Sequence, residues 1–270
     1  MIEQKVEIAN QQDFTLTGCL KQVEKAGRIC YNSESKITDD SYMAFTEMLI
    51  RNKHYSPFGH GTLVIDRPML ADFSSYNEFK NLMEFINHYE MRYRYQQNNG
   101  FLIISARVLA EASNCYNVNY FDVVSRCVMD SDEIHNKIYK NNERLTFKAT
   151  TSIDMTRELN RHGWNLDMDE MSTRYVKMNS VIKPYNWDSL TSEQQQLWIT
   201  STQQAFENYN KLIELGIPKQ EARKKLPLET VTEVYYTAFR DQWEDVIAKR
   251  TAKGVHPQMI ELMKLIKEKM

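Results

Sequence analysis

Guanidinium, imidazole, carboxylate and hydroxyl groups crowd together between Arg157 and Tyr175. Arg157-Glu158-Leu159-Asn160-Arg161-His162-Gly163-Trp164 comes first, and Asp167 to Tyr175 (DMDEMSTRY) follows, carrying Glu170, Ser172, Arg174 and Tyr175. On a helix, Arg157 and Arg161 share a face one turn apart, with Glu158 and His162 beside them. The second piece reads as a short polar turn rich in free backbone N–H groups. Together they suit a phosphate monoester, because a planar guanidinium meets two phosphate oxygens at once. For any one of these residues alone, a solvated charged loop is explanation enough.

Three other segments hold chemically capable residues. In Ser56-Pro57-Phe58-Gly59-His60-Gly61-Thr62 a histidine stands between two glycines, a spacing expected to leave room for a ligand over its ring. Glu221-Ala222-Arg223-Lys224-Lys225-Leu226-Pro227 places Arg223 on the inward side of a short helix. Arg240 to Arg250 (RDQWEDVIAKR) spaces Asp241, Glu244 and Asp245 for pairing along a helix, which a salt-bridged surface helix would also show.

Charge excludes one large class of ligand. With 34 basic and 36 acidic residues in 270, the chain has a net charge of −2 and no bulk footprint for nucleic acid. An anionic substrate therefore depends on local arginines. Cys19, Cys30, Cys115 and Cys127 fall in no metal-ligand or CxxC spacing, so reduced thiols and no metal site are expected. The opening MIEQKVEIANQQDF lacks the apolar core of a signal peptide, and no run approaches membrane-spanning length. A cytoplasmic protein without a membrane partner is the expectation. No GxGxxG or GKS/T cluster occurs, so a nucleotide must be bound by another design.

The elements that must position these residues read as α+β. VEIA is a short strand, Leu20 to Ala26 is helical, and Asp39-Asp40-Ser41 opens a helix through Tyr42, Phe45, Met48 and Leu49. Gly61 to Asp66 is a strand. From Pro68 to Arg144 the pattern is mostly helical, including the polar, aromatic run Tyr89 to Gln97 and a turn at Asn98-Asn99-Gly100; Phe101 to Ile104 fits strand or helix. Leu145 to Ser152 alternates and is rich in threonine, which predicts a strand, after which Asp154 caps a helix reaching His162. Thr191-Ser192-Glu193 starts a long helix that ends at Gly216, and Pro218 to Pro227 bounds a short one. Thr230 to Tyr236 is β-branched and aromatic with ambiguous flanks. The last 18 residues form a helix with Met259, Leu262, Met263 and Ile266 facing in.

Taken in order, these segments resemble the flavin-dependent thymidylate synthases. The family signature of Arg-His-Arg, seven or eight residues, then Ser and usually Arg-Tyr appears as Arg161-His162-Gly163, eight residues, and Ser172-Thr173-Arg174-Tyr175. Gly27-Arg28-Ile29-Cys30-Tyr31 is similar to the family's Ala-Arg-x-Cys-Tyr, and Ser56-Pro57-Phe58-Gly59-His60 to its Pro-Phe-Glu-His. Ala222-Arg223 with Leu226-Pro227 matches its Ala-Arg-x-x-Leu-Pro, and His256-Pro257-Gln258-Met259 closes as in some members. The likeness covers about residues 20–66 and 145–270, leaving 68–144 as an insertion in one domain spanning 1–270.

The resemblance implies a homotetramer with active sites where subunits meet, each holding FAD, dUMP and a folate. A methylene group passes from methylenetetrahydrofolate to C5 of dUMP, with hydride from reduced flavin recharged by NADPH. By position, Arg161, Glu170, Ser172, Arg174 and Arg223 bind dUMP and Glu158 touches it. Arg250 is the catalytic residue at the uracil edge. His60, Thr62, Arg161 and His162 lie along the flavin, and Gly163, Glu170, Arg240 and Asp245 complete the cofactor-binding set. Three departures fall on the flavin or folate side: Gly163 replaces the signature's second arginine, Phe239 an asparagine, and Asp245 an Asn or His. Two other outcomes fit the same residues: a pyrimidine nucleotide hydroxymethylase, and a catalytically silent nucleotide-binding homologue.

Overall fold

The computed structural model describes residues 1–88, 93–96, 100–129, 142–163 and 165–270. Most of the Tyr89 to Gln97 run, Asn98, Asn99 and Trp164 lie outside the described residues, and Tyr93–Gln96 is described as backbone. The architecture is α+β, built on two antiparallel sheets.

The first sheet has the order β1-β5-β7-β6, from β1 (Lys5–Ile8), β5 (Arg144–Ser152), β6 (Asp167–Glu170) and β7 (Val231–Phe239). Strands β5 and β7 pair over their full length, setting Phe147 opposite Tyr236 and Thr146 opposite Thr237. Both are buried on both faces, which explains why their apolar and threonine residues run together rather than alternating with charge. The second sheet, β2-β4-β3, joins β2 (Thr62–Asp66) to β4 (Phe101–Ser105) and β3 (Tyr93–Gln96).

Helices cover both sheets. Before and beside the second sheet stand α1 (Leu16–Gly27), α2 (Ser41–Arg51), α3 (Arg67–Phe73), α4 (Tyr76–Asn87), α5 (Ala106–Tyr116) and α6 (Tyr120–Val124). With the first sheet come α7 (Ile153–Leu159), α8 (Ser192–Glu214), α9 (Lys219–Ala222), α10 (Arg240–Arg250) and α11 (Pro257–Lys267). Side-chain caps define several starts: Thr15 accepts from Gly18 N, and Ser75 with Glu78 and Thr191 with Gln194 form capping boxes.

Two large apolar cores form among the described residues, with two smaller clusters beside them. Leu63, Ile65, Leu102, Ile104 and Leu109 fill one, around the second sheet. Phe147, Tyr236, Trp243, Leu262 and Met263 fill the other, between the first sheet and α10–α11. Trp243 packs edge-on to Phe147, with ring centroids 5.2 Å apart, and donates its indole N–H to Leu145 O. Among the described residues, no helix is long and apolar enough to cross a membrane.

Several expectations need correction. The mostly helical reading of 68–144 misses β3, and of the two readings open for Phe101 to Ile104 the strand is the one formed, as β4, because a short apolar run beside a turn does not declare its period. Asp154 is not the cap of α7: Ser152 holds that position, and Asp154 lies within the helix. That helix stops at Leu159, and Asn160–His162 tightens into a 3-10 turn, so Arg157 and Arg161 do not share one continuous face. Residues Asp167–Glu170 are a strand rather than a polar turn, since β7 supplies their backbone partners. The final helix is confined to Pro257–Lys267.

Candidate active site

Strand β6 divides the charged residues. Successive side chains of a strand point to opposite faces, which separates Asp167 and Asp169 from Met168 and Glu170. On the inner face, Arg144 Nη2 donates to Asp167 Oδ2 at 2.9 Å and to Gly59 O at 2.8 Å. Its Nη1 donates to Gly61 O and Thr62 Oγ1. Asp169 accepts from Ser56 Oγ at 2.9 Å and lies 3.2 Å from His60 Nε2, while His60 Nδ1 meets Thr237 Oγ1 at 2.7 Å.

This arrangement overturns one expectation. His60 is 1% exposed and Thr62 is 2% exposed, so neither lines an open surface of the chain. The flanking glycines serve packing instead. A Cβ at Gly59 would lie 2.5 Å from Asp167 Cγ, and one at Gly61 would lie 2.6 Å from Cys19 Sγ.

On the outer face of β6 a cleft of 380 Å³ opens. Arg157 and Thr156 reach it from α7, Glu170 and Ser172 from the end of β6, and Arg223 from the 3-10 turn after α9, with Pro227 in its wall. Arg223 Nη1 donates to Thr173 Oγ1 at 2.9 Å and its Nε to Gln220 O. The Arg157 guanidinium has no hydrogen-bond partner among the described residues. Burial pushes the Glu170 carboxyl above its ordinary range, while a 3.0 Å hydrogen bond from Thr156 Oγ1 and the charge of Arg157 pull it back.

The N-terminal motif closes the rim of this cleft. Ser172 N donates to Cys30 O, and Tyr175 stacks on Tyr31 with centroids 5.0 Å apart. Arg174 sits over the Tyr175 ring, at 5.3 Å, rather than in the cleft wall. Burial pushes the Cys30 thiol up to about 12, which keeps it protonated and non-nucleophilic at neutral pH.

A second cluster forms where α10 ends beside α7. Arg250 Nε donates to His162 Nε2 at 2.7 Å, Nη1 to Glu158 Oε2 at 3.3 Å, and Nη2 to Glu158 O at 2.6 Å. Asp245 accepts from Lys249 Nζ at 2.6 Å and from Asn165 Nδ2 at 3.2 Å. Residues Arg157 and Glu158 are consecutive on α7, about 100° apart around its axis, so one short helix serves both the cleft and this cluster.

The fold thus brings Glu170, Ser172 and Arg223 together in one place and Glu158, His162, Asp245 and Arg250 in another. Arg161 and Gly163 lie on the exposed turn beside the second. Arg240 stands at the opposite end of α10, about 15 Å from Arg250 along the axis at about 1.5 Å per residue, and it pairs with Glu143. At Gly163 the backbone is helical (φ −56°), and a Cβ would meet only Asn160 O at 3.4 Å. A Cβ is tolerated there, so the glycine is not required by contact at that atom. Thr156, Asn160 and Thr173 also line the cleft and have no distinguishing signal in the sequence.

The fit to a flavin is divided. Arg161, His162 and Asp245 offer polar groups on one edge, whereas His60 and Thr62 are sealed and Phe239 is a core residue, 1% exposed. Among the described residues, the chain offers only part of the cradle that a flavin would need.

An α+β scaffold carries an arginine-walled cleft and a docked arginine beside it, an arrangement suited to a phosphate-bearing ligand. Residues 141–270, which contain both sites, match the family described as Thymidylate synthase complementing protein. Over 140 residues the chain is 29% identical to a protein of Paramecium bursaria Chlorella virus 1 named probable flavin-dependent thymidylate synthase. That likeness covers 46% of this chain and 64% of the viral protein. Over residues 141–270 the chain is thus similar to the flavin-dependent thymidylate synthases, and the likeness is a divergent one.

Proposed function

We propose that this chain makes dTMP, transferring a one-carbon unit from methylenetetrahydrofolate to C5 of dUMP. Reduced FAD, when bound and recharged by NADPH, supplies the hydride. The observation that carries the reading is the cleft, where Glu170, Ser172 and Arg223 converge from separate segments and Arg157 adds an uncommitted cation.

In this reading Arg157, Arg223 and Ser172 take the phosphate, Arg174 adds positive charge at the rim, and Arg161 does so from the exposed turn beside the Arg250 cluster. Glu170 stands beside the nucleotide. Arg250 faces the uracil edge, where a fixed guanidinium favours ionisation at N3 and raises electron density at C5 without reorganising during the step. His162, Gly163 and Asp245 border the flavin. Sites formed where subunits of a homotetramer meet would complete the partial cradle, with Arg240 serving a neighbour. The chain would act in the cytoplasm as one domain with 68–144 inserted, and the pairing of β2 with β4 supports a shared structure across that insertion.

A second reading, a pyrimidine nucleotide hydroxymethylase in which water captures the methylene intermediate, is favoured by the missing side chain at Gly163 and the buried Phe239. One experiment separates these. The protein is incubated with dUMP, methylenetetrahydrofolate, NADPH and FAD, and the nucleotide is identified by mass spectrometry. A 5-methyl product supports the first reading and a 5-hydroxymethyl product the second. No modified nucleotide from flavin-loaded protein defeats both and leaves a silent binder.

A further inference from the structure

A guanidinium cannot accept a hydrogen bond, so the 2.7 Å contact between Arg250 Nε and His162 Nε2 is one that Arg250 donates. It requires a bare Nε2, and therefore a neutral imidazole with its proton on Nδ1. Two more bonds run from the same guanidinium to the Glu158 carboxylate and carbonyl. Three of the five N–H groups of Arg250 are thereby committed, leaving one on each Nη for a ligand. The side chain is only 13% exposed, so its orientation is set by these partners rather than by solvent.

We propose that His162 is a positioning residue whose neutral imidazole docks Arg250, and that protonation of this ring in acid ends the docking. The consequence for turnover rests on the function proposed above; the docking itself does not.

The charged groups around the ring come from two helices. Helix α10 contributes Arg250 and Lys249, both cationic, and Asp245, which is anionic. Helix α7 contributes Glu158, whose carboxylate meets Arg250. Burial, followed by the two cations, holds the imidazole below its ordinary range, and Asp245 opposes them. At neutral pH the ring is therefore an acceptor. Once protonated, Nε2 would turn an N–H toward the Arg250 N–H with like charge on both sides. The contact must then open, although Glu158 still holds the two Nη atoms. Docking is thus complete at and above neutral pH and is lost as pH falls through the lowered pKa of His162.

The test is nitrogen-15 NMR of the full chain, with histidine and arginine labelled and no ligand added. The expected result is the Nδ1–H tautomer for His162 and an Arg250 Nε–H resonance, assigned by its loss in Arg250→Lys, that moves as the ring titrates. His162→Gln puts a non-titrating oxygen where Nε2 was. In that variant the Arg250 resonance should ignore pH, and the acid limb of turnover should vanish. His162→Phe has no acceptor and should lose more than about tenfold at every pH. An Nε2–H tautomer, or an Arg250 resonance indifferent to pH in the unaltered chain, overturns the proposal. Should the variants fail to fold, those two observations on the unaltered chain decide alone. Docking that titrates as expected in a protein that modifies no nucleotide upholds the inference and defeats the proposed function.

Discussion

On the inner side of β6, Asp167 and Asp169 are 4% and 5% exposed and face a buried arginine, a buried histidine and the carbonyls of a glycine-rich turn. One residue further along, on the outer side, Glu170 looks into an open cleft whose cations are only partly committed. The residue types are nearly the same, and their situation differs. Arg144 spends both Nη atoms on the fold, while Arg157 spends none of its guanidinium on any described residue. A charge whose partners are all internal holds structure, and a charge left with spare donors at a concave surface can hold a ligand.

The harshest break of this contrast is Arg144→Ala. It leaves Asp167 with the longer 3.8 Å ion pair to Arg107, and about 3–5 kcal/mol of stability should be lost in urea unfolding. A loss of well under 1 kcal/mol would mean that the inner network is ornamental. Arg250→Ala should behave in the opposite sense. The protein should stay folded, while turnover falls by on the order of a hundredfold or more and Arg250→Lys recovers only part of it. Near-normal turnover in folded protein would remove Arg250 from the mechanism.

Next in size are Arg223→Ala and Arg157→Ala. Each should weaken dUMP binding in calorimetry by roughly tenfold to a hundredfold, with little change in unfolding midpoint. Arg174→Ala should cost less than either, because Arg174 stands over Tyr175 at the rim. Equal losses at all three positions would place the phosphate outside the cleft. A smaller structural effect is expected for Gly59→Ala, whose methyl collides with Asp167. Overpacking of this kind costs about 1–3 kcal/mol, and dUMP affinity measured on the remaining folded protein should hold.

The slightest effect belongs to Glu170→Gln. Because burial raises the Glu170 pKa in the folded chain, the fold binds that proton more tightly than the unfolded chain does. The resulting stability is fully present below the ordinary value of 4.5 and is lost as pH rises through the raised one. Glutamine removes this dependence, so the unfolding midpoint at neutral pH should rise slightly and the gap between variant and original should close in acid. A gap that widens in acid would reverse the sign and exclude burial as the cause.

Much of this protein was legible in sequence because the relevant forces are local. The threonine-rich run of β5, the Thr191 cap of α8, the Gly216 stop and the inward face of α11 all follow from residue types and spacing over a few residues. The chemically capable segments could be found the same way, since residue type and order are properties of the chain. Which of their members meet was decided only by tertiary structure. Asp167–Glu170 is a strand because β7 offers it partners more than sixty residues downstream, and that pairing turns Asp169 inward and Glu170 outward. The end of α7 at Leu159 sends Arg157 to the cleft and leaves Arg161 on an outer turn. His60 looked open between two glycines, yet those glycines let Asp167 and Cys19 pack close to the backbone, and His60 itself is buried against Asp169, Thr237 and Tyr235. Periodicity reports which side of an element is apolar, but a polar residue's role depends on what arrives opposite it, and long-range pairing determines that.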